Sequence, residues 1–234
     1  MVIPRPSHSF NILLANQKEK VRVVPLPSVM IEIMLSEHTM PPPKLYTKEQ
    51  IFAKAFEMVV KEGIGSLTAR ALSRKLKSSV VPIYTHFPSM NRLRLDVVEK
   101  GIDLLKGCME KDYTDDPASN MGIGIVLFAR GYPNLFRALY LDGAYTAARA
   151  EFDLHVRQML YGTRYFRHMA EADFDALFLK LIAFIQGYCT LVCTGEVDDI
   201  SIDAIDRYVS ESCDPIIYQA IFKTDFTRLL TQSA

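Results

Sequence analysis

The sequence predicts an all-α protein of nine or ten helices. Three observations support this prediction. Apolar residues recur at helical spacing through most of the chain after Thr47, helix-capping residues precede those runs, and no segment shows the alternation of a convincing strand. With 234 residues, 49% of them apolar, the chain is long enough to bury a sizeable core.

Residues 1–43 differ from the rest of the chain. Prolines interrupt each short apolar run there, and Pro41-Pro42-Pro43 ends the segment as a stiff, extended stretch. We predict a disordered arm. A second interpretation stays open, in which Met40 is the biological start and residues 1–39 precede the native chain.

Two helices are predicted directly after this arm. Thr47 and Gln50 form a capping box, and Gly63 can end the helix that it opens. Thr68 can cap a second helix, which continues to Leu76.

A third helix is predicted over 79–86. The short polar break Lys77-Ser78 allows only a tight turn before it. Two short helices joined by such a turn, after a first helix that buries them, match the helix-turn-helix plan.

The remainder is predicted to be helical as well. Ser89 can cap a long helix, and Asp116-Pro117 places a cap before a first-turn proline. Asp214-Pro215 is expected to restart or kink the last long helix. The predicted segments are 89–112, 117–130, 133–140, 143–169, 173–194, 201 onwards and 225–230.

Charge is distributed unevenly along the chain, although 27 basic and 27 acidic residues balance overall. Residues 40–110 carry twelve Lys and Arg against seven Asp and Glu, whereas residues 115–234 carry ten against sixteen. The basic part is therefore the candidate for binding a polyanion.

The cysteines, which are Cys108, Cys189, Cys193 and Cys213, form no metal-binding pattern. We expect reduced thiols and neither metal nor cofactor.

No uninterrupted apolar stretch approaches the roughly 20 residues of a membrane span, and the N-terminus lacks a secretory pattern. We expect a cytoplasmic protein without a membrane span.

The helix-turn-helix segment supplies candidate DNA contacts. The start of its second helix can meet a phosphate, the start of its third helix would enter the major groove, and hydroxyl, imidazole and guanidinium donors can reach the backbone. The candidates are Thr68, Arg70, Ser78, Ser79, Val80, Val81, Tyr84, His86 and Arg92.

The same segment resembles the TetR family of transcriptional regulators. The resemblance rests on Leu67-Thr68-Ala69-Arg70-Ala71-Leu72 and on Ile83-Tyr84-Thr85-His86-Phe87, and it covers about fifty residues. Three positions depart from the family pattern. Lys77 stands where Gly is common, Pro82 lies inside the third helix, and Met90 replaces a common phosphate-contacting Lys.

The resemblance implies a ligand-responsive repressor that binds an inverted-repeat operator in double-stranded DNA. Residues 44–89 would bind DNA, and residues 90–234 would bind an effector and a second copy of the chain. Dimerisation would use helices 173–194 and 201–221. The expected interface residues are Leu177, Leu181, Phe184, Ile185, Tyr188 and Val192; the alternative is that this face packs inside its own subunit.

The region 90–172 would then hold a pocket for an unknown small-molecule effector. Its aromatic and thioether side chains are typical of apolar cavities, although they also suit an ordinary core. The candidates are Phe128, Tyr132, Phe136, Tyr140, Met159 and Phe166.

Two other classes of function are alternatives for this sequence. An all-α enzyme is disfavoured because no nucleophile elbow, phosphate loop or metalloprotease motif occurs, and Gly122-Ile123-Gly124 lacks the third glycine of a dinucleotide site. The other alternative is a protein-interaction module of the same fold, with DNA binding weakened by Pro82 and Met90.

Overall fold

The computed structural model describes residues 46–232, and describes side chains as far as Phe222. Nine α-helices and no strand occur among these residues, so the predicted all-α class is confirmed. The predicted arm, residues 1–43, lies outside the described residues. The helices are α1 Lys48–Glu62, α2 Ala69–Leu76, α3 Val81–His86, α4 Met90–Met109, α5 Pro117–Gly131, α6 Pro133–Phe136, α7 Thr146–Tyr161, α8 Glu171–Thr194 and α9 Ile202–Gln232.

The first two helices begin as predicted. The Oγ1 atom of Thr47 accepts from the N–H of Gln50 at 3.3 Å, and the Gln50 side chain accepts from the N–H of Thr47 at 3.1 Å. The Thr68 hydroxyl accepts from the N–H of Ala71 at 3.2 Å. Each cap satisfies backbone donors that the helix itself leaves unpaired.

The seventh helix is shorter than predicted. It ends at Tyr161, whereas the apolar pattern suggested a continuation to Met169. The turns that follow fold Phe166 back against Phe174, with ring centroids 5.5 Å apart, and the Tyr161 hydroxyl donates to the carbonyl of Met169 at 2.9 Å. This local core, which a straight helix would break, explains the early end.

The last helix is longer than predicted. It passes through Pro215 without ending, so the separate helix expected over 225–230 is part of α9. Pro215 is exposed. A proline costs an internal hydrogen bond, but a solvent-facing carbonyl can bond to water instead.

One apolar core runs through most of the molecule. It joins Ile51 of α1 and Leu93 of α4 to Phe128 of α5 and Ile205 of α9. We call residues 46–89, with α1–α3, the head, and residues 90–232 the body. The head therefore has no core separate from that of the body.

Helices α4 and α5 approach each other very closely at Gly124. A Cβ atom at this position would lie 2.4 Å from the carbonyl oxygen of Cys108 and 2.6 Å from the Cα of Met109. Only glycine fits this contact. Packing therefore accounts for a glycine that sequence motifs left without a role.

Helix α8 is long and apolar enough to cross a membrane by length and composition alone. Core helices of bundles meet the same two criteria. In its most apolar stretch, 28% of the residues are buried within the subunit, because α5 and α9 cover only part of its surface. Much of this helix is thus free to meet another surface.

The four cysteines are free thiols, and Cys189 is buried. Burial raises the pKa of Cys213 to about 11, which keeps that thiol protonated at neutral pH. Among residues 46–232, no cluster of His, Cys, Asp or Glu could hold a metal ion.

Candidate DNA-binding surface and ligand cavity

The turn between α2 and α3 is built by Lys77 in the left-handed conformation, with φ 52° and ψ 46°. Its N–H donates to the carbonyl of Arg74 at 3.1 Å, and the N–H of Ser78 donates to the carbonyl of Ser73 at 3.0 Å. These two bonds form a Schellman motif, which usually has glycine at the left-handed position. Lys77 is the only residue other than glycine with a positive φ among those described.

Helix α3 turns one face inward and leaves the other in solvent. Ile83 is fully buried and Phe87 nearly so, whereas Val81 is 65% exposed and Tyr84 is 51% exposed. Val80 and Ser79 are exposed as well. Most residues predicted to read DNA therefore lie together on an open surface.

Pro82 fits α3 without loss of a hydrogen bond. The helix begins at Val81, two residues later than predicted, and Pro82 occupies its first turn. The first intrahelical donor is the N–H of Ile83, which reaches the carbonyl of Val80 at 3.1 Å. The missing N–H of proline is thus one that the helix would not have paired.

Three exposed cations lie on α2 and in the turn that leads to α3. Arg70, Arg74 and Lys77 are exposed, and none of them has a carboxylate partner among the described residues. Arg70 and Arg74 are four residues apart and share one face of α2. Lys75 differs, since it pairs with Glu62 at 2.8 Å.

Thr68 is exposed at the start of α2. Its oxygen already accepts the N–H of Ala71, and the hydroxyl has no acceptor for its own hydrogen within the described part of the chain. The O–H can therefore donate to an external anion without loss of the cap.

Two predicted DNA contacts are occupied within the chain. The Nε2 atom of His86 lies 2.9 Å from the carbonyl oxygen of Tyr46. The guanidinium of Arg92 pairs with Asp96 at 2.6 Å and with Glu99 at 3.2 Å. A phosphate contact by His86 would have to use Nδ1, and one by Arg92 would compete with two carboxylates.

Two residues that hold the head together had no local signal in the sequence. The Tyr46 hydroxyl donates to the carbonyl of Leu76, the last residue of α2. Arg94, in α4, donates to the carbonyl of Leu67 at 2.7 Å. Both bonds join residues about 30 positions apart, so neither could be predicted from spacing.

A cavity of about 520 Å³ opens in the body. Its walls come from α5, α7, α8 and α9, with Met109 at the end of α4. The volume lies within the range of roughly 300–1,000 Å³ that is usual for small-molecule sites.

Only two of the six predicted lining residues contact this cavity, namely Tyr140 and Phe166. The prediction was wrong for the other four. Phe128 and Phe136 are completely buried in the core, and Tyr132 packs against that core. Met159 lies outside the cavity and is 37% exposed.

An ion pair lies in one cavity wall. The Nε of Arg149 is 2.8 Å from Oδ2 of Asp153, and its guanidinium carbon is 4.3 Å from the ring centroid of Tyr140. The same guanidinium donates to the carbonyl of Leu139. Burial raises the pKa of Tyr140, so its phenol stays neutral beside this pair.

The face of α8 predicted to form a dimer interface packs inside its own subunit. Leu177, Tyr188 and Val192 are buried in the two cores, and Leu181 and Ile185 line the cavity. Phe184, the sixth predicted residue, is half-buried and stacks on Tyr188 and Tyr208. The prediction took this side as the outer one, because α8 is apolar all round and periodicity does not show which side faces the core.

The outer face of α8 is also apolar. Leu179 is 70% exposed, Leu191 is exposed, and the small residues Ala183 and Gly187 lie between them. On α9, Tyr208, Tyr218 and Phe222 are exposed.

Comparison with solved structures finds a protein of similar fold. The chain superposes on a TetR-like transcriptional regulator from Rhodococcus sp. RHA1 with a TM-score of 0.52 and 13% sequence identity, over 74% of this chain and 94% of that one. No protein-family model matches the sequence, and a search of curated proteins finds no match. The helix-turn-helix head on a helical body is thus the fold of a TetR-like transcriptional regulator, as the sequence resemblance implied.

Proposed function

We propose that this protein is a cytoplasmic, DNA-binding transcriptional regulator. The observation that carries the proposal is that the exposed face of α3 follows a helix and a turn with three exposed cations, Arg70, Arg74 and Lys77. Cations without partners and a protruding short helix are what a helix-turn-helix presents to duplex DNA.

Each part of this surface has a distinct task in the proposed complex. Val80 and Val81, at the start of α3, contact base edges in the major groove, where apolar side chains recognise the thymine methyl group. Thr68, Arg70 and Tyr84 bind phosphates and set the position of α3 without reading sequence. His86 has mainly a structural role, because its Nε2 atom is hydrogen-bonded to the carbonyl of Tyr46 at 2.9 Å.

The proposed active form is a homodimer. The exposed apolar faces of α8 and α9 together supply a contact surface, with Leu179 and Leu191 at the centre of that surface. This surface differs from the face of α8 that the sequence predicted. A two-fold axis there would place two α3 helices about 34 Å apart or somewhat farther, which suits an inverted-repeat operator.

The cavity is the proposed effector site, and the proposed response is repression relieved by ligand. Met109 belongs to both α4 and the cavity wall, so a bound molecule pushes on the helix that leads to the head. A second connection is the side-chain amide of Asn134 in α6, which donates to the carbonyl of Val60 in α1 at 3.0 Å. The proposed dimer has two arrangements that differ in the distance between its heads. The ligand changes DNA affinity because it binds these two arrangements with different affinity.

DNA binding is tested by fluorescence anisotropy on a duplex selected from a random pool. The replacement of both Arg70 and Arg74 by alanine should weaken binding about tenfold or more and make the slope of log K against log salt shallower by about 2. Lys106→Ala is the matched control, since Lys106 is exposed on α4 about 24 Å from the start of that helix.

The same titration separates the regulator from its rivals. A regulator loses affinity steeply as salt rises. An interaction module or an enzyme of this fold would bind no selected duplex at any salt, and a double variant with unchanged slope would place the DNA surface elsewhere.

The dimer surface is tested by Leu179→Glu. Burial of a carboxylate at an apolar interface is costly, so light scattering should report a monomer and operator affinity should fall. Leu154→Glu is the control, because Leu154 is 52% exposed on α7 and lies outside the proposed interface. A persisting dimer in Leu179→Glu would contradict the assignment.

A further inference from the structure

The ionisable groups that line the cavity give it a negative formal charge. Of the described residues that line the cavity, Asp116, Asp153 and Asp214 contribute three carboxylates, and Arg149 is the only basic one. Arg149 already donates to Asp153 and to a backbone carbonyl, and its guanidinium lies over the ring of Tyr140. Among the described lining residues, an entering anion would therefore meet one cation, and a carboxylate already pairs with it.

Two of the carboxylates have no basic partner within ion-pair distance in the described part of the chain. Asp116 accepts from the N–H of Ser119 at 3.0 Å and from the Tyr165 hydroxyl at 3.3 Å. Arg164 donates to that same hydroxyl at 2.8 Å, and although it forms no ion pair with Asp116, its charge interacts with that carboxylate. Asp214 is exposed and accepts from no described donor.

Aromatic rings accompany these carboxylates around the cavity. They are Tyr140, Tyr165, Phe166, Phe178 and Tyr218. Arg149 already lies over the ring of Tyr140, and Arg164 lies over that of Tyr165. The faces of aromatic rings attract cations, and the attraction grows where water is excluded. The thioethers of Met109 and Met121 add a polarisable, adaptable apolar surface.

The lining residues of the cavity differ in their exposure. Tyr165, Tyr218 and Asp214 are exposed and form the rim, whereas Phe166 and Ile185 are buried and form the depth. A molecule with a positive charge and an apolar body would leave its charge near the rim and bury its body among apolar side chains. A neutral molecule would gain the burial alone.

We propose that the cavity binds a hydrophobic organic cation. As the identity of an effector, this inference rests on the proposed function, although the binding itself requires no DNA. Two carboxylates without an ion-pair partner among the described residues, and five aromatic rings around one cavity of about 520 Å³, suit a monovalent cation with several apolar groups better than an anion of the same shape.

Tetraphenylphosphonium and tetraphenylborate have nearly the same shape and opposite charge, and triphenylphosphine oxide is a smaller, neutral relative. Isothermal titration calorimetry on the full chain should show that the phosphonium binds at least about tenfold more tightly than either of the others. Equal affinities, tighter binding of the borate or no binding of the phosphonium would overturn the proposal.

The double variant Asp116→Asn/Asp214→Asn assigns the effect to the two carboxylates. Asparagine is an equally good helix N-cap, so the start of α5 is retained at position 116. The phosphonium affinity should fall about tenfold or more while that of the phosphine oxide stays unchanged. Asp203→Asn, on α9 outside the cavity, is the control and should leave the phosphonium affinity unchanged.

These results are independent of the DNA titration. Phosphonium binding with this pattern in a chain that binds no duplex would support the cavity assignment and reject the regulator. A chain that binds duplex with a steep salt dependence but shows no preference for the phosphonium would do the reverse. An undiminished phosphonium affinity in the double variant would overturn the role of the carboxylates.

Discussion

The first two helices of the head and two long helices of the body, α7 and α8, differ in how their ends are stabilised. In the head, side chains within three residues of each helix start cap α1 and α2, and two turn hydrogen bonds set the angle at Lys77. In the body, α7 and α8 begin without any side-chain cap, although Asp116 caps α5, and α3 of the head has no side-chain cap either. Their positions depend on contacts between helices.

The difference indicates which region can change shape. Local bonds fix the relation between α2 and α3, so the DNA-facing surface is expected to move as a unit. The body combines very close packing at Gly124 with a cavity of about 520 Å³. A ligand can therefore shift helices in the body while the shape of the head is kept.

The largest expected effect is in the body, from Gly124→Ala. The new Cβ would lie 2.4 Å from the carbonyl oxygen of Cys108, and backbone cannot move aside as a flexible side chain can. We expect unfolding to become easier by about 3 kcal/mol, measured by urea denaturation.

Gly107→Ala is the matched control on α4. Nothing lies within 4 Å of the added Cβ, and alanine favours helix, so stability should rise by about 0.5–1 kcal/mol. If Gly124→Ala were as stable as this control, the close approach of α4 and α5 would be disproved.

A smaller effect is expected in the head, from Thr68→Ala. The loss of the cap on α2 should cost about 1 kcal/mol of stability in urea denaturation. Thr68→Ser keeps the hydroxyl and should restore stability. If Thr68→Ala cost nothing, local capping would not be what stabilises the head.

The smallest effect compares two helix ends directly. Lys77 ends α2, and Gly195, with φ 78°, ends α8 through the same pair of bonds. Lys77→Gly should relieve left-handed strain and stabilise by about 0.5–1 kcal/mol, after allowance for the greater freedom of glycine when unfolded. Gly195→Lys should destabilise by a similar amount in thermal denaturation; changes of equal sign would contradict the comparison.

The same division explains what the sequence could predict. The caps at Thr47 and Thr68 and the turn at Lys77-Ser78 depend on residues close in sequence, and their predictions agree with the structure. The third helix begins two residues later than predicted. Pro82 does not fix this start, because proline is tolerated at several positions of a first turn.

Features that depend on distant contacts could not be predicted in this way. The end of α7 at Tyr161 follows from the packing of Phe166 on Phe174, which no helical period encodes. The cavity candidates Phe128 and Phe136 share composition with true lining residues but lie in the core. Aromatic character alone does not distinguish a residue beside a void from one inside a filled core.

Helix α8 lies between the cavity and the proposed dimer surface. Leu181 faces the cavity, and Leu179 lies on the opposite, exposed side. In the proposed dimer, occupancy of the cavity and association of subunits are thermodynamically linked, and each changes the other by the same factor. Effector affinity would then vary with protein concentration, and dilution alone would alter the response.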